Sequence, residues 1–181
     1  MRRWILILAG LALALGWTST ARAASHLWRF HEVFSSADGT IQFIEMQECC
    51  GATAEHELNA KWILAVGTDT MFTFRKSLTG NTANKYLLLA TQGFADLPGA
   101  PAPDFIIPEG FLPLDGETLE YWMYSDATWS YTAGQIPVDG VTSLNVDGTT
   151  GVNSPTNYAG VSSSVVAVEP ATWGMLKIRM W

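Results

Sequence analysis

From residue 27 onward, short apolar or alternating runs are separated by Gly, Pro, Asn and Asp. That is the pattern of strands joined by tight turns. It predicts strands at 27–34, 41–48, 62–65, 71–74, 86–91, 118–124 and 165–168. Asp38-Gly39 between the first two predicts a hairpin, because Gly tolerates the positive φ that a tight turn demands. Residues 40–46 mix alternation with an apolar centre, as expected of a strand packed on one face and partly covered on the other. Within it, Ile44 is expected to face the core and Glu45 to face solvent or pair with a nearby chain end. Leu87, Leu88 and Leu89 read as a central strand buried on both faces. Trp62 is large enough to anchor the interface between two layers.

No stretch has the periodicity of a three-turn amphipathic helix. Residues 55–62 and 94–98 suit single turns at most. The segment 98–113 holds prolines at 98, 101, 103, 108 and 113. Proline fixes φ and lacks the ladder donor, so this connection is expected to run extended along the surface, with Ile106 and Ile107 available to pin it. Seven short strands at regular spacing predict an all-β, two-layer sandwich.

The start of the chain adds a compartment. Arg2 and Arg3 precede an apolar run from Trp4 to Trp17, and Ala21-Arg22-Ala23 comes next as a small-x-small cleavage pattern. Residues 1–23 therefore read as an export signal, and 24–181 as a single domain. The run falls short of the roughly 20 residues a membrane span needs. The expected product is secreted or periplasmic, with no membrane span after signal removal.

The 181 residues carry 10 Lys+Arg against 17 Asp+Glu, a net charge of -7. Loss of Arg2, Arg3 and Arg22 leaves 7 basic residues and a net charge of -10. Such a surface lacks the basic footprint that phosphate backbones require, which argues against nucleic acid as a partner.

The two cysteines, Cys49 and Cys50, are adjacent. Closing a ring between neighbours constrains almost no unfolded-chain entropy. A local disulfide, two buried thiols and pairing between chains all fit the sequence. A metal site adding His56, with Glu48 and Glu55 nearby, is disfavoured because neighbours on a strand point to opposite faces.

Three kinds of chemistry bear on function. For catalysis, the chain has no Gly-x-Ser-x-Gly elbow, no His-Glu-x-x-His pair and no phosphate-binding glycine loop. Glu45 and Glu48 read as a solvated strand edge, and the sequence is read as non-enzymatic. For cations, Asp139, Asn145, Asp147, Thr149 and Asn153 alternate with glycines. Calcium would take Asp139 and Asp147 first, and turn chemistry explains the same residues. No other cofactor is expected. For partners, Trp122, Tyr124 and Trp129 lie in an aromatic cluster with Tyr121 and Tyr131. They either stack on a ligand or form a second small core under the Pro-rich segment.

Several segments, in order, resemble the lamin-tail domain, an immunoglobulin-like sandwich. Glu32-Val33-Phe34 followed by Phe43-Ile44-Glu45-Met46 is similar to that family's opening strand pair. The segment 57–64 resembles its "DLSGWTL" stretch, and Asn84 to Ala90 its "GGYLLLA" strand. The segment 114–119 is similar to its approach to a late strand. Gly134 to Gly140 and Ser154-Pro155-Thr156-Asn157 resemble its closing signals. Lys61 and Val138 depart from the pattern, and the Pro-rich insert is long. The resemblance implies an immunoglobulin-like fold and an adhesive or accessory role, with no catalytic residues. The expected function is an extracellular interaction module for a protein or polymer partner. The alternative is a carbohydrate-binding module using Trp122, Tyr124 and Trp129 on a polysaccharide.

Overall fold

The computed structural model describes residues 25–167. The expected signal at 1–23 lies outside the described residues, as does Val168. In chain order the elements are β1 (Trp28–Ser35), β2 (Gln42–Glu48), β3 (Trp62–Ala65), β4 (Thr70–Thr73) and β5 (Tyr86–Ala90), then α1 (Gln92–Ala95). After these come β6 (Phe105–Ile106), β7 (Gly116–Tyr121), β8 (Thr128–Thr132), β9 (Thr142–Asn145) and β10 (Thr150–Val152). They form two packed sheets, ordered β10-β9-β1-β2-β5-β6 and β4-β3-β7-β8. All pairings are antiparallel except β5 with β6. The molecule is the two-layer β-sandwich that the strand pattern predicts.

The main core lies between the sheets. Trp28, Phe30, Val33, Ile44, Met46, Leu87 and Leu89 face Ile63, Ala65, Leu119, Tyr121 and Tyr131 across it. A second, smaller cluster covers the opposite face of the six-stranded sheet: Phe34, Phe43, Leu88 and Ala90 meet Phe94 of α1 and Val165 and Ala167. Leu87, Leu88 and Leu89 are thus buried on both sides, as expected. Thr91 caps α1, its hydroxyl accepting from the Phe94 amide at 3.3 Å. Gly93 is required there: a Cβ would meet the Thr40 carbonyl oxygen at 2.7 Å.

The anchor between layers is Trp28, fully buried, and not Trp62. The pleat decides this. Ile63 and Ala65 of β3 point inward, so Trp62 falls on the outer face, half-buried. Val165 and Ala167 lie against the second cluster without joining a sheet, and Val166 between them is exposed. The Pro-rich connection does more than connect. It supplies edge strand β6 and buries Phe105, Ile107, Phe111 and Leu112, while Ile106 is exposed.

A β-bulge at His31 turns a carboxylate outward. The β1–β2 register slips between Phe30 and Glu32, so two residues of β1 oppose Glu45 of β2. Phe30 points into the main core before the bulge and Val33 after it. Glu32 is left on the outer face.

Candidate functional site

The first candidate is the end of the four-stranded sheet at the β7–β8 turn. β7 stops at Tyr121, three residues earlier than the apolar pattern predicts. Strand alternation therefore no longer sets the direction of residues 122–124. Trp122 takes a left-handed backbone, φ 53°, with its amide donating to the Trp62 carbonyl at 2.8 Å. Its ring tilts against Trp62 at 5.6 Å between centroids, and the Lys61 ammonium lies 5.0 Å from its centroid. Tyr124 leans on Tyr121 at 5.5 Å and faces His26 at 6.1 Å. Between the two aromatics, Met123 is 75% exposed. Glu120, Trp122, Met123, Tyr124, Ser125 and Thr128 line a shallow depression of about 190 Å³. Arg29 pairs with Asp126 and ties the turn to β1.

Of the three aromatic residues singled out from the sequence, Trp122 and Tyr124 therefore share a site. Trp129 does not line it. It is half-buried on β8, against Phe30 at 6.4 Å and Tyr131 at 5.9 Å. Trp122 and Tyr124 pack in part against the main core, and Phe105 of the Pro-rich segment packs on Phe72 and Phe74.

The second candidate is a cluster of buried polar groups on the six-stranded sheet. Glu32 and Glu45, 0% and 1% exposed, lie under a strap formed by residues 153–158. The Glu32 carboxylate accepts from the Ser143 hydroxyl and from the Ser154 amide and hydroxyl. Glu45 accepts from the Thr156 amide on one oxygen and from His31 Nδ1, 2.8 Å away, on the other. Asp104 accepts from the Leu88 and Tyr158 amides, both at 2.9 Å. The Asn153 side chain bridges Val141 and Val165. These carboxylates are therefore structural acceptors that hold the strap down. Glu45 is not the solvated edge residue that alternation implies. His31, Glu32 and Glu45 are close enough to share an ion, but strap and imidazole donors already engage their oxygens.

Burial pushes the Glu45 carboxyl up, outweighing its bonds to His31 and Thr156, and the Glu32 charge adds to the rise. The hydrogen bond to Glu45 pushes the His31 imidazole up despite its partial burial, aided by the charges of Glu45, Glu32 and Asp147. Tyr86 meets the ring edge-on at 5.4 Å and completes its surroundings. Both groups hold their proton more tightly in the folded state than in the unfolded one. Their contributions are thus present at low pH and lost as pH rises, for His31 through a pKa above the ordinary imidazole value of about 6.5. We expect the thermal midpoint to fall on the alkaline side of about pH 6.5, and this slope to vanish in His31→Gln. An equal slope in the variant would show that other groups set it.

The third candidate is the turn after β2. Cys49 and Cys50 are bonded to each other and exposed. Glu48, buried beneath them, accepts from the backbone amides of Cys50, Gly51, Ala52 and Asn84 at 2.8–3.1 Å. Burial pushes this carboxyl up, but those four amides together hold it below the usual range. Glu117 does the same for Gly67, Thr68 and Thr118 at the opposite sheet. It too is held low against the effect of burial.

The residues singled out for calcium are not brought together. Asp139 and Asp147 flank opposite ends of β9, and each closes its own turn. Asp139 accepts from Val141 and Thr142, and Asp147 from Thr149. Both are held below the usual carboxylate range, first by a neighbouring threonine hydroxyl and then by the backbone amides. Of the two explanations the sequence allows, turn chemistry accounts for every contact these carboxylates make.

No protein-family model, no curated protein and no solved structure matches this chain.

Proposed function

We propose that the chain is an exported, non-catalytic interaction module that holds a protein or polymer partner at the aromatic end of its four-stranded sheet. One observation carries this reading. Trp122, a bulky residue, is kept at φ 53° on a half-exposed turn. A non-glycine residue in this region costs on the order of 1–3 kcal/mol, and such strain clusters at ligand sites. The flanking Met123 is the most exposed large apolar side chain among the described residues, and Trp62, Lys61 and Tyr124 complete an amphipathic surface. Aromatic anchors of this kind dominate interface energetics. The export pattern and the lamin-tail resemblance support the same accessory, adhesive role.

A second reading, binding of a polysaccharide, is favoured by the oxygens of Glu120, Ser125 and Thr128 around the two aromatic residues. Sugar rings present an apolar face for stacking and hydroxyls for such acceptors. Two titrations test both readings: purified cell envelopes for retention of the chain, and soluble polysaccharides for tryptophan fluorescence. Trp122→Ala is expected to weaken the positive one about 30-fold, the equivalent of 2 kcal/mol for a buried anchor. Val152→Ala, on the other sheet and 67% exposed, is the matched control and should bind as the parent does. Equal binding by Trp122→Ala would move the site elsewhere. Silence across the glycan panel would reject the polysaccharide reading, and no retention on envelopes either would reject both.

A further inference from the structure

We propose that the Cys49–Cys50 bond is a reversible thiol–disulfide exchange site for an exposed dithiol on another protein, and not a structural cross-link. Three observations on the turn after β2 converge. The bond joins neighbours, so it closes only a small ring, and the unfolded chain loses almost no freedom through it. Both residues are exposed, which places the disulfide at the surface where an incoming thiolate can approach it. The turn is held by something else. Glu48, 1% exposed, gathers the amides of Cys50, Gly51, Ala52 and Asn84 onto one carboxylate. The Cys49 amide donates to the Leu27 carbonyl at 3.0 Å and the Glu48 amide to the Lys85 carbonyl at 2.9 Å.

These contacts bracket the disulfide on both sides and use none of its atoms beyond the backbone. Opening the bond therefore leaves the turn in place and presents two adjacent thiols on a fixed support. A structural disulfide would show the reverse arrangement, with the fold depending on the bond.

In the exchange, a thiolate of the partner dithiol attacks one cysteine sulfur, forming an intermolecular disulfide as the Cys49–Cys50 bond breaks. The released cysteine thiolate takes up a proton. The partner's second thiolate then attacks its own sulfur in the mixed disulfide and frees the other cysteine, which is protonated in turn. The chain gains two electrons and two protons, and the partner dithiol is oxidised to a disulfide.

The test uses the intact exported chain without denaturant. Dithiothreitol should reduce the bond, seen as two iodoacetamide-reactive thiols in the intact mass, and glutathione disulfide, after removal of the reductant, should restore it. Oxidised and reduced protein should melt within about 2 °C of each other, because a bond that stabilises little shifts the midpoint little. The Cys49→Ser, Cys50→Ser double variant should melt with them. Single Cys50→Ser, keeping the Cys49 thiol, should trap a mixed disulfide with glutathione when given glutathione disulfide, releasing one glutathione thiolate. Resistance to dithiothreitol until urea is added, or a drop of more than about 5 °C on reduction and in the double variant, would make the bond structural and overturn the proposal. Neither result depends on the aromatic site, so the two readings fail separately.

Discussion

Replacing Trp28 by alanine is expected to cost about 3–5 kcal/mol, the range for removing a large aromatic side chain from a core. The indole is fully buried where the two sheets meet, beside Phe30 and Met46, and packed strands on both sides leave little freedom to refill the space. Its ring N–H donates to the Glu55 carbonyl at 2.7 Å. Glu55 is in turn fixed by the Leu27 amide on its carboxylate and by its own amide on Thr82. The substitution thus opens a cavity and leaves a buried carbonyl without its donor. Trp28→Phe separates the two effects, since it keeps much of the volume and should cost about 1–3 kcal/mol, mainly for the lost donor. Urea denaturation of the three proteins measures both differences. A loss below about 1 kcal/mol for Trp28→Ala would mean that the sheets do not meet through this residue.

Glu32→Ala is expected to destabilise by about 3 kcal/mol, because it strands one buried and two part-buried donors at once. The Ser143 hydroxyl and both the amide and hydroxyl of Ser154 lose their acceptor. An unmet buried group such as the Ser143 hydroxyl costs about 1–3 kcal/mol, and the part-buried Ser154 donors, open to rehydration under a loosened strap, add less each. Glu32→Gln keeps one carbonyl oxygen but turns an amide donor toward donors, so its cost should lie between parent and alanine. Hydrogen exchange gives the sharper readout. The Ser154 and Thr156 amides should lose protection in Glu32→Ala, while amides of β3 and β7 keep theirs. Uniform loss across both sheets would indicate a general core role instead of a strap contact.

The sandwich is legible in the sequence because its strongest strands have one face that must be apolar. Residues 28–34 and 43–48 carry that signature, and Asp38-Gly39 closes them as the hairpin their turn chemistry demands. The strands that escape the pattern are those with weak burial. Thr128 to Thr132 alternates threonine and serine with aromatics, a period-two signal masked by the density of rings around it. β9 and β10 flank Asp147-Gly148, and the same Asp, Asn and Gly residues read as a cation loop. The buried glutamates escape it for a clearer reason. A strand covered on both faces has no solvent side, so the outward position of Glu45 is as enclosed as the inward one. The apolar centre of its strand already carries that information. Trp122 and Tyr124 stand out by composition, but their joint placement depends on β7 ending at Tyr121, which no local pattern announces.

The strap has a consequence for how the chain matures. Glu32 meets Ser143 and Ser154 across 111 and 122 residues, so an interior strand must wait for one of the last hairpins to emerge. For a chain exported as proposed, that interval lasts until the intervening residues have crossed to the compartment where it folds. Throughout it, β1 offers an open edge beside Val33 and Phe34, an invitation to pair with a neighbouring copy. Two carboxylates, still hydrated and charged, sit on the nascent β1–β2 pair during that window. The charges that lock the finished molecule thus stand on the half-built pair, where a buried charge disfavours docking of a foreign strand.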